Sequence, residues 1–275
     1  MEKGTQDTME QGRQQAEQVF FDELYEKGWE RENDRIDESV IPPNMRIYWD
    51  LVRARMQPLL EKNPNAEVLD CGCGYGGLTI LLARLGARVT AVDISPKSIE
   101  IVQRVARNNE VADRIQAQTA ELENLVFKDD VFDSVLGTRI LHHVDISTSG
   151  RQLARVLKPG GFAIFWECTE ANRFLTFCRK NLRKILPLPK HGTDQEHPLT
   201  REEIDQLGRF FGAPARIVPA PFYFFNLADE YLLRGRIKLF SRLLQGLDAA
   251  IAKYLPFLNR FSFHQILVFE KPDKG

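Results

Sequence analysis

Residues 67–77 restrict what this chain can fold into more than any other stretch. Glu67-Val68-Leu69-Asp70-Cys71 is a short run of strand-forming residues. It leads directly into Gly72, Gly74 and Gly77, which satisfy a G-x-G-x-x-G spacing. Glycine tolerates left-handed backbone, so this spacing describes a tight strand-to-helix turn that a ligand can approach closely. The spacing alone is weak evidence, and two carboxylates sharpen it. Asp70 lies two residues before the first glycine, where it would repel a pyrophosphate and attract a nearby ammonium or sulfonium. Asp93 closes the next apolar run, Arg88–Asp93, where a carboxylate can accept both ribose hydroxyls. A bare turn without ligand is the competing reading, and it leaves both aspartates unexplained.

Around this turn, strand and helix patterns alternate. Strands are expected at Glu67–Cys71, Arg88–Asp93, Ile115–Thr119, Phe132–Gly137 and Phe162–Glu167. Helices are expected at Leu78–Leu85, at Lys97–Asn108 behind Ser95-Pro96, and at Gly150–Leu157, closed by Lys158-Pro159-Gly160-Gly161. Such alternation predicts an α/β, doubly wound, mostly parallel sheet with helices on both faces and ligands at the carboxyl ends of its strands. Before it, residues 1–40 are helix-compatible and acidic, with twelve acids against five bases, and residues 44–62 form an amphipathic helix after Pro42-Pro43. After it come an aromatic, basic segment over 171–200, a capping-box helix from Thr200 to about Phe211, and a sixth strand within 215–225. An amphipathic stretch over 227–255, broken near Gly235 and Gly246, precedes a last strand at Gln265–Glu270. The expected organisation is an N-terminal helical lid (1–60), a cofactor-binding core (61–170), a substrate-covering insertion with helices (171–260), and the core's last strand (261–275).

Several stretches resemble the class I, Rossmann-like, S-adenosylmethionine-dependent methyltransferases of the bacterial small-molecule type. Val68-Leu69-Asp70-Cys71-Gly72-Cys73-Gly74-Tyr75-Gly76 resembles their first motif, and Ala91-Val92-Asp93-Ile94-Ser95 their second. Phe132-Asp133-Ser134-Val135, Leu141-His142-His143 and Arg155–Gly161 resemble later landmarks. The resemblance covers about residues 45–167 and implies seven strands ending in an antiparallel hairpin. It also implies S-adenosylmethionine as methyl donor, with S-adenosylhomocysteine as product. The cofactor-binding candidates are Asp70, Gly72, Gly74, Asp93, Ile94, Thr119, Ala120 and Gly137. The family often carries an Asp after its third strand, where this chain has Thr119, so a threonine oxygen or the Ala120 backbone would have to meet the adenine.

A sulfonium carries its own leaving group, so the protein chiefly aligns the reactants. An oxygen or nitrogen acceptor can also need a base. His142 and His143 follow strand four and are candidates for that base, against a packing and capping role. Arg139, in a Gly137-Thr138-Arg139 stretch faintly similar to quinone C-methyltransferases, is a candidate for orienting a substrate oxyanion. His191 and His197 lie in the insertion, with His197 the stronger catalytic candidate; Glu167 and Glu170, leaving strand five, are weaker ones. Tyr25, Trp29, Tyr48 and Trp49 could face the sulfonium by cation–π attraction. Phe174, Phe177, Phe210, Phe211 and Phe222–Phe225 could line an apolar pocket, although most phenylalanines are only core.

The expected reaction is methyl transfer to a small molecule, on an oxygen of an apolar or aromatic compound. C- or N-methylation of a quinone or lipid-like acceptor, and a nonenzymatic cofactor-binding module, are the alternatives. Asp70 disfavours an NAD-linked oxidoreductase. A formal net charge of −1 and the lack of a Pro-Pro-Tyr amine motif after strand four argue against nucleic-acid and protein substrates. Four cysteines without zinc spacing suggest neither a disulfide framework nor a metal. With no leader pattern, a cytoplasmic location is expected. The basic amphipathic stretch 227–260 is a candidate for peripheral contact with a membrane's inner face.

Overall fold

The computed structural model describes residues 2–28, 35–172, 197–221, 224–225, 229 and 238–273. Its centre is a seven-stranded sheet of β1 (Glu67–Cys71), β2 (Arg88–Asp93), β3 (Ile115–Thr119), β4 (Phe132–Thr138), β5 (Leu157–Cys168), β6 (Arg216–Pro219) and β7 (His264–Glu270). The spatial order is β3-β2-β1-β4-β5-β7-β6, parallel except for β7, which runs antiparallel to both neighbours. The expected doubly wound sheet with a terminal antiparallel hairpin is therefore present. The order reverses between β1 and β4, the switch point where ligands bind in such sheets.

Pleating sorts successive side chains to opposite faces. Val68, Leu136, Ile164 and Val268 pack on one face with α2 (Arg46–Lys62), α3 (Gly77–Leu85) and α4 (Pro96–Asn108). Leu69, Val135, Phe165 and Leu267 pack on the other with α5 (Ile146–Val156) and α6 (Arg201–Phe211). Two further helices complete the description, α1 (Glu2–Gly28) and α7 (Lys238–Tyr254). The capping signals act as read. The Ser95 side chain accepts from Ser98 N–H with Pro96 in the first turn, and Thr200 and Glu203 form a reciprocal capping box.

Some boundaries differ from expectation. α5 starts at Ile146 rather than Gly150, because the Asp145 side chain caps it by accepting from Thr148 N–H at 2.7 Å. α5 ends at Val156, within one residue of expectation, but Lys158-Pro159-Gly160-Gly161 is not a separate connector ahead of the strand. It lies within β5, which pairs with β4 from Leu157 onward through a register shift. α7 runs unbroken through Gly246, whereas Gly235 lies outside the described residues. β6 and the helix before it, both within 171–260, belong to the sheet and its packing.

Candidate active site

The glycine turn is drawn onto the end of β2. Gly72 and Cys73 both donate their N–H groups to the Val92 carbonyl, at 2.8 and 3.0 Å. Gly74 donates to Asp93 Oδ2 at 2.9 Å, and the Ser98 hydroxyl donates to the Gly74 carbonyl at 2.7 Å. Gly72 has φ +66°, and a Cβ there would stand 2.7 Å from Ile140 Cδ1, so position 72 has neither the backbone freedom nor the room for a side chain.

Two buried carboxylates flank the turn. Asp70 accepts the Thr79 hydroxyl at 2.5 Å, and burial pushes its carboxyl up to about 7. Burial also raises Asp93, against the opposing effect of the N–H groups of Ser95 and Gly74. Each Asp93 oxygen already accepts one of those N–H groups and keeps a further lone pair for a ligand hydroxyl. Both aspartates line the main cleft, of about 1520 Å³, together with Gly72, Gly74, Ile94 and Ala120. Buried carboxylates of this kind, which a neighbouring cation would ionise, suit a positively charged nucleoside, so the residues present fit S-adenosylmethionine.

Thr119 and Gly137 stand apart from the other cofactor-binding candidates in this structure. Thr119 ends the edge strand β3 exposed and does not line the cleft; the chain reaches the cleft one residue later, at Ala120. Gly137 lies behind the wall. Its carbonyl accepts the Tyr48 hydroxyl at 3.3 Å, and a Cβ there would meet Ile140 Cγ2 at 2.8 Å and Phe165 Cδ1 at 3.0 Å. Its glycine serves packing.

On the far side of the turn, β4 leads into a single 3-10 turn, Leu141–His143. Glu167, on adjacent β5, is wholly buried and fully engaged. Its Oε1 accepts Ile140 and Leu141 N–H at 2.7 and 2.9 Å, and its Oε2 lies 2.8 Å from His142 Nδ1. An ionised carboxylate only accepts, so the ring proton belongs on Nδ1 and the neutral ring keeps its lone pair on Nε2. His142 lines the cleft, as do His143, Arg139 and His197.

These four differ in character. His143 Nδ1 is 3.2 Å from Glu17 Oε2 of α1, its carbonyl accepts from Arg13, and its ring meets Phe21 edge-on. His143 therefore ties α1 to the site. Arg139 adopts φ +53°, uncommon for a side-chain-bearing residue, with its N–H on the Trp166 carbonyl and its side chain exposed at the cleft. His197 Nε2 lies 2.9 Å from Glu203 Oε1 of the α6 capping box, with the side chain 55% exposed. Glu170 does not line the cleft, and His191 lies outside the described residues.

The aromatic lining also differs from expectation. Tyr25, Tyr48 and Trp49 do line the cleft, joined by Phe21, Trp166 and Phe263. Phe211 instead stacks on Phe269 in the core, Phe210 packs over Gly150, and neither Phe224 nor Phe225 lines the cleft. Trp29, Phe174, Phe177, Phe222 and Tyr223 lie outside the described residues. Sequence reasoning missed His264, which is buried, lines the cleft and stacks on Trp166 at 4.2 Å. Its partner is set by β5–β7 pairing, which no local motif announces.

The switch-point glycine turn and the two carboxylates that flank it all lie within the part of this chain that is similar to known methyltransferases. Residues 69–165 match the family model described as a methyltransferase domain. The demethylmenaquinone methyltransferase of Tropheryma whipplei is 42% identical over 125 residues, covering 44% of this chain and 50% of the relative. The ubiquinone biosynthesis O-methyltransferase of Paracidovorax citrulli is 34% identical over 152 residues, covering 54% and 60%. The chain thus spans about half the length of the curated relatives it matches. Among solved structures, magnesium protoporphyrin IX methyltransferase from Synechocystis PCC 6803, with bound S-adenosylhomocysteine, superposes with TM-score 0.60. It is 18% identical, covering 94% of this chain and 99% of that one, a likeness of fold.

Proposed function

We propose that this protein transfers the methyl group of S-adenosylmethionine to an oxygen of a small apolar or aromatic acceptor. The observation that carries the reading is one cleft lined by both the Asp70–Asp93 turn and His142, with buried Glu167 behind the histidine. The bound cofactor supplies an activated methyl group with its own leaving group. Asp70 and Asp93 hold its charged and ribose ends, and the aromatic walls exclude water from the acceptor. His142 Nε2, its lone pair fixed by Glu167, takes the proton from the acceptor hydroxyl. Arg139, exposed at the same cleft, steadies the developing oxyanion. C-methylation of a phenol-like or quinol-like ring is the second reading, favoured by the 42% identity to a demethylmenaquinone methyltransferase.

Titration calorimetry tests the cofactor. S-adenosylhomocysteine should bind and NADH should not; the reverse order would end the proposal. Methyl-labelled cofactor with a metabolite extract, followed by mass spectrometry, then identifies the acceptor and its atom. A label on carbon would select the second reading.

A further inference from the structure

α7 carries an apolar face that the described residues leave uncovered. Phe240, Leu243, Leu247, Ala250 and Tyr254 recur at helical spacing and form one stripe. All five are exposed, Leu243 at 58% and Tyr254 at 71%. The 3-10 turn that follows, Pro256–Phe261, extends the patch with Phe257 at 59% and Phe261 at 38%. Isolated exposed apolar residues are ordinary, but a contiguous stripe of this length marks an interaction surface.

The surrounding charge selects the occupant. Residues 238–261 contain Lys238, Arg242, Lys253 and Arg260 against a single acid, Asp248. Asp248 is buried, accepting the N–H groups of Phe224 and Phe225 at 3.2 and 3.0 Å, so no carboxylate of this segment faces outward. The Lys253 ammonium lies over the Tyr254 ring at 5.2 Å and the Arg260 guanidinium over Phe261 at 4.6 Å. Apolar stripe, flanking cations and aromatic residues beside basic ones are what an interfacial helix needs to sink into an anionic bilayer. Among the described residues no helix is long and apolar enough to cross a membrane. We infer that the Phe240–Phe261 face docks this protein onto the surface of an anionic phospholipid membrane.

The helix also connects that surface with the cleft. Ser241, Arg242 and Gln245, on a different side of α7, line the cleft, as does Phe263 just past the 3-10 turn. Docking by the stripe sets the cleft beside the lipid surface, where an apolar acceptor would be concentrated. That consequence rests on the methyl-transfer reading, whereas the docking does not.

Flotation of the full chain with vesicles tests the docking. The protein should float with phosphatidylglycerol-containing vesicles, less so at high salt, and stay at the bottom with phosphatidylcholine alone. Leu243→Glu with Leu247→Glu should lower vesicle partitioning by at least about tenfold, since each leucine is worth more than a factor of ten when buried. Melting temperature and S-adenosylhomocysteine affinity should not change. Phe257→Trp supplies a second readout that leaves the helix intact: its emission should shift to the blue when anionic vesicles are added. Absence of flotation, undiminished flotation of the double variant, or an unshifted tryptophan would each overturn the inference. So would light scattering showing a vesicle-free dimer that the double variant dissolves, because the stripe would then seat a second copy. Loss of S-adenosylhomocysteine binding with flotation intact would count against the methyl-transfer reading alone.

Discussion

Asp70 is held in its neutral form up to about 7 by burial, against an ordinary value of 3.8. The folded chain therefore binds this proton more tightly than the unfolded chain. The stabilisation this gives is complete below about pH 4, shrinks as pH rises through the interval, and is gone above about 7. A cationic ligand beside the carboxylate reverses the preference and favours ionisation, so binding below 7 must expel a proton. S-adenosylhomocysteine, which keeps the ammonium group, should bind roughly tenfold more weakly at about pH 6 than at about pH 8. Calorimetry in two buffers of different ionisation heat should register the released proton. Asp70→Asn should abolish the pH dependence and bind weakly throughout; a flat profile for the unaltered protein would show that Asp70 does not face the cofactor's charge. Glu167 allows an equally direct test. In Glu167→Gln the amide oxygen keeps the Ile140 and Leu141 N–H groups, so the NH2 turns to His142 Nδ1 and forces the ring proton onto Nε2. Long-range nitrogen–proton NMR should show that tautomer switch, and turnover should fall by about 10²–10⁴ with S-adenosylhomocysteine affinity intact. An unchanged tautomer would remove Glu167 as the positioning residue for His142.

At the scale of elements, what was legible in the sequence follows from how local the determining physics is. β1 and β2 have the expected bounds because their apolar runs end at Gly72 and Asp93, β3 also has its expected bounds, and the Ser95 and Thr200 caps act within three residues of themselves. The end of α5 is legible in Lys158–Gly161, which has the composition of a helix stop, but the early start of β5 is not. These residues are drawn into the strand by backbone hydrogen bonds with Lys271, far along the chain: Gly160 donates to its carbonyl, and its N–H donates to the Gly161 carbonyl. The site divides in the same way. Asp70, Gly72, Gly74 and Asp93 announce themselves by spacing around one turn. The His142–Glu167 pair needs β4 and β5 to be neighbours, and its hydrogen bond joins residues twenty-five positions apart. Thr119 and Gly137 are not fixed by that one turn: Thr119 ends β3 exposed, and Gly137 packs closely against Ile140 and Phe165. Gly72, by contrast, faces both the cleft and Ile140, so one residue couples the cofactor turn to the segment that carries His142.

Across the whole molecule, α1 spans both ends of the site. The Asp22 carboxylate accepts the Ser95 hydroxyl and, at 3.4 Å, the Lys97 N–H at the start of α4, just past Asp93. An acid at a helix N-terminus is favourably placed. Arg13 donates to the His143 carbonyl and to Glu123; Glu17 and Phe21 between these ties, and Tyr25 just beyond Asp22, line the cleft. A helix fastened at the cofactor end by Asp22 and at the histidine end by Arg13 closes the cleft as one unit, so ligand exit should require both ties to open. Arg13→Ala with Asp22→Ala removes them while leaving the sheet's packing intact. Two hydrogen-bonded ties of ordinary strength amount to roughly a tenfold faster release of S-adenosylhomocysteine, read by stopped-flow displacement. Amide exchange across residues 13–25 should speed up in the same variant, while exchange in β1 and β4 should not. If release were unchanged and exchange still accelerated, α1 would be a peripheral helix and the cofactor would leave past another edge of the cleft.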